Sequence, residues 1–220
     1  MPGWGGDMSG AGGIRPLPPT GGPPRIRPGG LRELGPVNAL ITRVAGLGMG
    51  TASPNLFATM GRHRRLFRSW LVLASRLMPR GRLPRRDTEI AILRVAHLRG
   101  ATYEHQHHVR VGRGHGVDDE VVRRIHAGPE DDGWAPRDRA LLAAVDGLLA
   151  DGDLDDAAWA RLREHLDEQG AIELVVLVTQ YDALATFLGT LRVAPDDPQS
   201  LRRRINPRRA PRSRGRRRRS

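Results

Sequence analysis

Across its 220 residues the sequence has no cysteine and no lysine, and aromatic side chains make up 4% of it. The missing thiol excludes disulfides, thiolate metal sites and every thiol mechanism. The missing lysine says less. All 36 basic residues are arginine, and with 27 glycines and 17 prolines the pattern is that of a GC-rich coding bias. The stretch Arg202 to Ser220 holds 11 arginines and no acid. Without it the balance is 25 arginines against 24 Asp plus Glu, so the net charge of +12 falls to +1. The basicity therefore belongs to a tail that cannot bury a core and is expected to be disordered. Arg202 to Arg219 could bind nucleic acid through phosphates alone, but no aromatics are interleaved there to stack on bases. Long apolar runs are also scarce, since a membrane span needs about 18 such residues. The longest candidate, AIELVVLVTQYDALATFLGTL, is interrupted by Glu173, Gln180 and Asp182. Residues 1–30 are rich in Gly and Pro and lack the apolar segment of a signal peptide. The expectation is a cytoplasmic protein without a membrane partner: a disordered tail over 1–30, a helical domain over 31–198 and an Arg-rich tail over 199–220.

Helical spacing dominates from Leu31 onward, and strand punctuation is scarce. In SPNLFATMGRHRRLFRSWLVLASRLMPRG, Ser53 reads as an N-cap and Pro54 as the first helical residue. Leu66, Trp70, Leu73 and Leu77 recur on one face, and Pro79 and Gly81 end the pattern. LPRRDTEIAILRVAHLRG carries an apolar stripe of Ile92, Leu93 and Ala96, closed by Gly100. DDEVVRRIHAG, APRDRALLAAVDGLLADG and LDDAAWARLREHLDEQG each read as a helix. The segment from Ala171 to about Val193 is apolar almost all round, as in a central buried helix. The fold class is all-α, a compact bundle of about seven helices.

The densest chemistry lies in GATYEHQHHVRVGRGHGV, with one glutamate and four histidines. On a helix beginning near Thr102, Glu104 and His108 stand at i and i+4 on one face. His115 is seven residues beyond and would share that face. His105 and His107 point elsewhere, although His105 could reach the edge. A Glu–His pair in a dry pocket can hold and transfer one proton without a cofactor. Glu89 borders the apolar stripe of the preceding helix; it is either hydrated at the boundary or buried with a raised pKa. Glu104, His108 and His115 could also supply three metal ligands. HQHH lacks the two-histidine i,i+4 spacing of helical zinc motifs, so a fixed metal site is not expected.

The order RxxE helix, Gly, YE…H, GxxxG and acidic turn in LPRRDTEIAILRVAHLRGATYEHQHHVRVGRGHGVDDEVV resembles the carboxymuconolactone decarboxylase family, in the alkylhydroperoxidase D-like superfamily. The resemblance runs from about Leu31 to Pro198. It implies an all-helical fold that assembles as homo-trimers or multiples of three. In the peroxidase branch a C-x-x-C-x-x-x-H motif follows an upstream glutamate. Here those positions hold Ala101, Glu104, His108 and Glu89, so the proton-relay groups are present and the redox groups are not. The cysteine-less branch it resembles implies a lyase that uses neither metal nor organic cofactor and acts on a small carboxylate or lactone. In it His108 would be the general acid, Glu104 would set its protonation, Glu89 would complete the relay and Tyr103 would orient the substrate. Arg94 or Arg110 could bind the substrate carboxylate. His105 stands where many relatives carry a tryptophan. Two other classes stay open: a non-catalytic homo-oligomer that keeps only the fold, and a nucleic-acid-associated protein acting through its arginine tail.

Overall fold

The computed structural model describes residues 14–17, 22–197 and 199–200. The arginine tail from Arg202 and most of the Gly/Pro-rich start lie outside the described residues, so the expectations placed on them do too. Nine helices and no strand occur among the described residues: α1 Leu31–Met49, α2 Asn55–Met60, α3 Arg64–Leu77, α4 Arg85–Leu98, α5 Thr102–Arg113, α6 Asp119–Ala127, α7 Pro136–Ala150, α8 Asp156–Arg163 and α9 Glu168–Leu191. The all-α class holds. The helix count exceeds seven because α1 lies outside the periodic stretches quoted above and because the stretch from Ser53 is interrupted. The run from Ser53 breaks at Gly61–His63 into α2 and α3, with Pro54 rather than Ser53 as the N-cap. The run from Leu154 breaks where Asp167 starts α9, its carboxylate accepting the Gly170 N–H at 2.8 Å.

The helices divide between two compact units. One comprises residues 27–68 with the described residues after Pro195. There Asn38 is buried and its Nδ2 donates to the Gly61 and Arg64 carbonyls at 3.2 and 3.3 Å. Phe57 and Phe67 meet edge to face with centroids 5.5 Å apart. Phe67 is fully buried, while Leu66 of the expected apolar face is 55% exposed. The residue of this turn that packs is thus Phe67, one position beyond Leu66.

The other unit holds Ser69–Ala194 and the described part of 14–26. Its centre is α4, which packs against α5, α6, α7 and α9. Ile90, Ala91, Ile92 and Leu93 are all fully buried, so the helix has no solvent face over that stretch. The sequence pattern assigned that central place to α9, because α4 carries charges. Those charges are paired. Arg86 grips Asp138 at 2.8 and 3.0 Å, Arg137 donates to Asp87 at 2.6 and 3.0 Å, and Arg94 meets Asp146 through two bonds of 2.7 Å. A bidentate partner removes much of the cost of burying a guanidinium.

Helix α9 buries Leu174, Leu177, Val178 and Leu184 but leaves Ile172 63% exposed. It is the one helix among the described residues whose length and composition would suffice to cross a bilayer. It also packs on α4, α7 and α8, as the core helix of a bundle does. Its two internal charges have protein partners. Glu173 accepts the Arg82 and Leu83 N–H groups at 2.7 and 2.9 Å, and Asp182 pairs with Arg99.

Candidate active site

The loop between α4 and α5 sets the site. After the C-cap Arg99, Gly100 adopts φ 65°, a left-handed conformation that costs a Cβ-bearing residue energy. The reversal lets α5 start at Thr102 and lie along α4. Ala101, not Thr102, is the N-cap, and no side chain caps it. Glu89 in the second turn of α4 then faces His108 in the second turn of α5. Glu89 Oε2 and His108 Nδ1 are 2.7 Å apart, and the two residues are 0% and 4% exposed. Glu89 is therefore buried, not hydrated at the boundary of the stripe. Its other oxygen accepts Arg85 Nη2 at 2.9 Å. With Nδ1 engaged by a carboxylate, His108 is left with Nε2 as the nitrogen that can meet a ligand.

Glu104 is 2% exposed, and neither of its oxygens has a hydrogen-bond partner among the described residues. Burial, then the nearby charge of Asp182, push its carboxyl well above the ordinary 4.5. Burial without a hydrogen-bond partner among the described residues thus favours the protonated form over the carboxylate. The face shared by Glu104 and His108 is therefore real, and both side chains point inward.

His115 does not share it. The helix ends at Arg113, and His115 lies exposed in the following turn. His105 joins a different cluster. Its Nε2 is 2.8 Å from His126 Nε2, and His126 stacks on His97 with centroids 4.3 Å apart. One ring nitrogen of the 105–126 pair must carry the hydrogen and the other accept it. Burial first, then neighbouring positive charge, lowers His97 to about 3 and His105 to about 4. His107 touches His108 edge-on at 5.1 Å and is lowered to about 3, mainly by burial. Among the described residues no group of three His, Cys, Asp or Glu side chains is arranged to hold a metal ion.

Of the two arginines considered for carboxylate binding, Arg94 is fully engaged and Arg110 lies on the surface. Arg94 is 5% exposed and, besides Asp146, donates to the carbonyls of Ile125 and His126 at 2.8 and 3.1 Å. Arg110 is exposed, with His107 at 3.5 Å. Tyr103 is buried on α5. The tyrosine ring set against His108 is that of Tyr181 on α9, edge-on with centroids 5.2 Å apart. Its hydroxyl donates to Met78 Sδ at 3.1 Å. Burial and the charges of Glu104 and Glu89 raise its pKa well above 10. The sequence offered no local signal for Tyr181, which reaches the site only through tertiary packing.

Residues 64–147 match the carboxymuconolactone decarboxylase family. Over 101 residues the chain is 26% identical to the uncharacterized protein YdfG of Bacillus subtilis strain 168, spanning 45% of this chain and 69% of that protein. The fold is shared with the alkylhydroperoxidase AhpD core of a peroxidase-related protein from Ralstonia eutropha JMP134. There the TM-score is 0.71 at 19% identity, over 82% of this chain and 97% of that one. It is shared also with the debrominase Bmp8, solved in complex with 2,3,4-tribromopyrrole. That pair gives a TM-score of 0.66 at 18% identity, over 82% and 96% of the two chains. Residues 64–147 thus match the carboxymuconolactone decarboxylase family, in a chain that has no cysteine and shares the alkylhydroperoxidase D-like fold.

Proposed function

We propose that the protein is a cofactor-free acid–base enzyme, a lyase acting on a small carboxylated or lactone substrate. The observation that carries this reading is the buried 2.7 Å bond between Glu89 and His108 beside the unpartnered carboxyl of Glu104. Glu89 fixes the imidazole so that Nε2–H, when present, is aimed away from α4. In a decarboxylation the bond to the carboxylate breaks, CO2 leaves and its electron pair stays on the organic fragment as an enolate. His108 Nε2–H then protonates that carbon. Glu104, whose carboxyl burial pushes well above the ordinary 4.5, would restore the proton to the imidazole. Tyr103 sits next to Glu104 and orients the substrate from α5. The chemistry transfers protons only, since Ala101 and Glu104 occupy the positions where the peroxidase branch has its two thiols.

The test is CO2 release, and solvent-deuterium incorporation at the released carbon, from a panel of γ-lactone carboxylic acids. His108→Gln should lower kcat by about 10² to 10⁴, the usual weight of one general acid, with substrate binding kept. Neither CO2 nor deuterium appearing with any member of the panel would refute the lyase reading.

The same reading includes a cytoplasmic homo-oligomer, a trimer or a multiple of three. Its support is a stripe on α1, where Val37, Leu40, Val44 and Leu47 are each 55–64% exposed at 3-4-3 spacing. Such a stripe is what a helix paired with another helix presents. Light scattering gives the mass, and a monomer would remove this part of the reading.

A further inference from the structure

Three polar groups beside the Glu89–His108 pair are incompletely bonded. Arg85 gives Nη2 to Glu89, but Nη1 of the same guanidinium is buried without a partner among the described residues. Both oxygens of Glu104 are in the same condition. Tyr181 spends its hydroxyl hydrogen on the thioether of Met78, a weak acceptor. Tyr181 ties the three together. Its ring lies against His108, and its hydroxyl feels the charges of Glu104, Glu89 and Arg85. A buried N–H of a cation left unpaired is expensive, and folded proteins keep such groups where something else satisfies them. The neighbouring arginines of α4 do not share the condition: Arg86 and Arg94 are each held by two bonds to an aspartate.

We propose that Arg85 is the anion anchor of this site and that the site's ligand is a small acid with a single carboxylate, held by Nη1. The proposal deepens the acid–base reading and takes the site's location from it, but the anchoring does not depend on turnover. The charge rule follows from the residues present. One open guanidinium nitrogen accommodates one carboxylate. A second anionic group would meet the carboxyls of Glu89 and Glu104 and the π-face of Tyr181. The neutral part of the ligand would then lie toward His108. There a ring or carbonyl oxygen is a better acceptor than sulfur for the Tyr181 hydroxyl.

The experiment is calorimetric titration of the full chain with furan-2-carboxylate, furan-2-carboxamide and furan-2,5-dicarboxylate. Furan-2-carboxylate should bind at least about tenfold more tightly than the other two, the worth of one hydrogen bond to a charged group. Arg85→Gln, which keeps a donor for Glu89 without the charge, should bind carboxylate and amide alike. Absence of saturable furan-2-carboxylate binding, equal binding of carboxylate and amide, or a preference surviving in Arg85→Gln would each overturn the proposal. If Arg85→Gln does not fold, nitrogen-15 NMR of the arginine side chains in the native protein decides it. The Arg85 guanidinium signals must move with the carboxylate and not with the amide. Binding through Arg85 without CO2 release or deuterium exchange would sink the lyase and leave the anchor. Turnover with no effect of Arg85→Gln on binding would do the reverse.

Discussion

Replacing Glu104 with methionine should stabilise the protein, and by an amount that grows with pH. The side chains are similar in length, and methionine needs no hydrogen-bond partner where Glu104 has none among the described residues. Even in acid, where the carboxyl is neutral in both folded and unfolded chains, removing a buried unpaired polar group should gain about 1–3 kcal/mol. The pH dependence follows from the raised pKa. Above the ordinary value of 4.5 the unfolded chain releases this proton while the folded one keeps it. The contribution of Glu104 to stability is thus fully present below that value. It is lost as the pH rises toward the raised folded value, at about 1.4 kcal/mol per pH unit, and levels off beyond it. Glu104→Met lacks the group, so the difference between the two proteins isolates this titration from all others. Urea unfolding followed by circular dichroism across the neutral and mildly acidic range measures it. The pH at which the difference levels reads the folded pKa directly. A difference that stays constant with pH, or shrinks as pH rises, would show that Glu104 is ionised and satisfied in the folded protein.

Two further outcomes follow from the charges around α4. Arg94→Met leaves Asp146 and the carbonyls of Ile125 and His126 without their donor. It should cost about 3 kcal/mol in unfolding free energy while furan-2-carboxylate binding is unchanged; a lost binding preference would return Arg94 to the site. Burial first, with neighbouring positive charge behind it, depresses His97 and His105. Each contributes stability above the ordinary histidine value that is lost as pH falls from 6.5 toward about 3 and about 4. Acid unfolding should therefore begin below the ordinary value and be blunted in His97→Leu; an unaltered acid limb would contradict it.

The part of the site readable in the sequence is the part fixed by helix periodicity. Glu104 and His108 share a face because they are four residues apart, and Glu89 lies one helix upstream on a stripe edge. Periodicity also misled where a helix ended: His115 keeps the phase of His108 on paper, but α5 stops at Arg113. What depends on tertiary packing was invisible. Tyr181 arrives from α9, and Arg85 is one of 36 arginines until its single open nitrogen distinguishes it from the paired ones. The central position of α4 was hidden for a related reason. Hydropathy counts Asp87, Glu89 and Arg94 against burial, but their partners come from α5, α7 and the carbonyls at the end of α6.

The resemblance sets a carboxyl at position 104 where the peroxidase branch has a thiol, and the proposed change of chemistry can be tested by putting the thiol there. A thiolate donates an electron pair to a peroxide oxygen, whereas a carboxylic acid in the same place can only give or take a proton. Ala101 is the N-cap of α5 and Glu104 its third residue, so Ala101→Cys/Glu104→Cys would set two thiols at a helix N-terminus, where thiolate is favoured. One thiolate would attack a hydroperoxide, breaking the O–O bond to give an alcohol and a sulfenic acid. The second thiol would then displace water to form a disulfide, which dithiothreitol reduces. With Glu89 and His108 already in place to move the proton, the double variant should consume hydroperoxide in the presence of dithiothreitol. Glu104→Cys alone, without a resolving thiol, should be much slower, and His108→Gln should lower the rate of the double variant. A folded double variant no faster than the native chain would mean that the Glu89–His108 pair cannot serve a group at position 104. The same result would remove Glu104 as the donor that reloads His108, because both depend on that side chain facing the same proton pair.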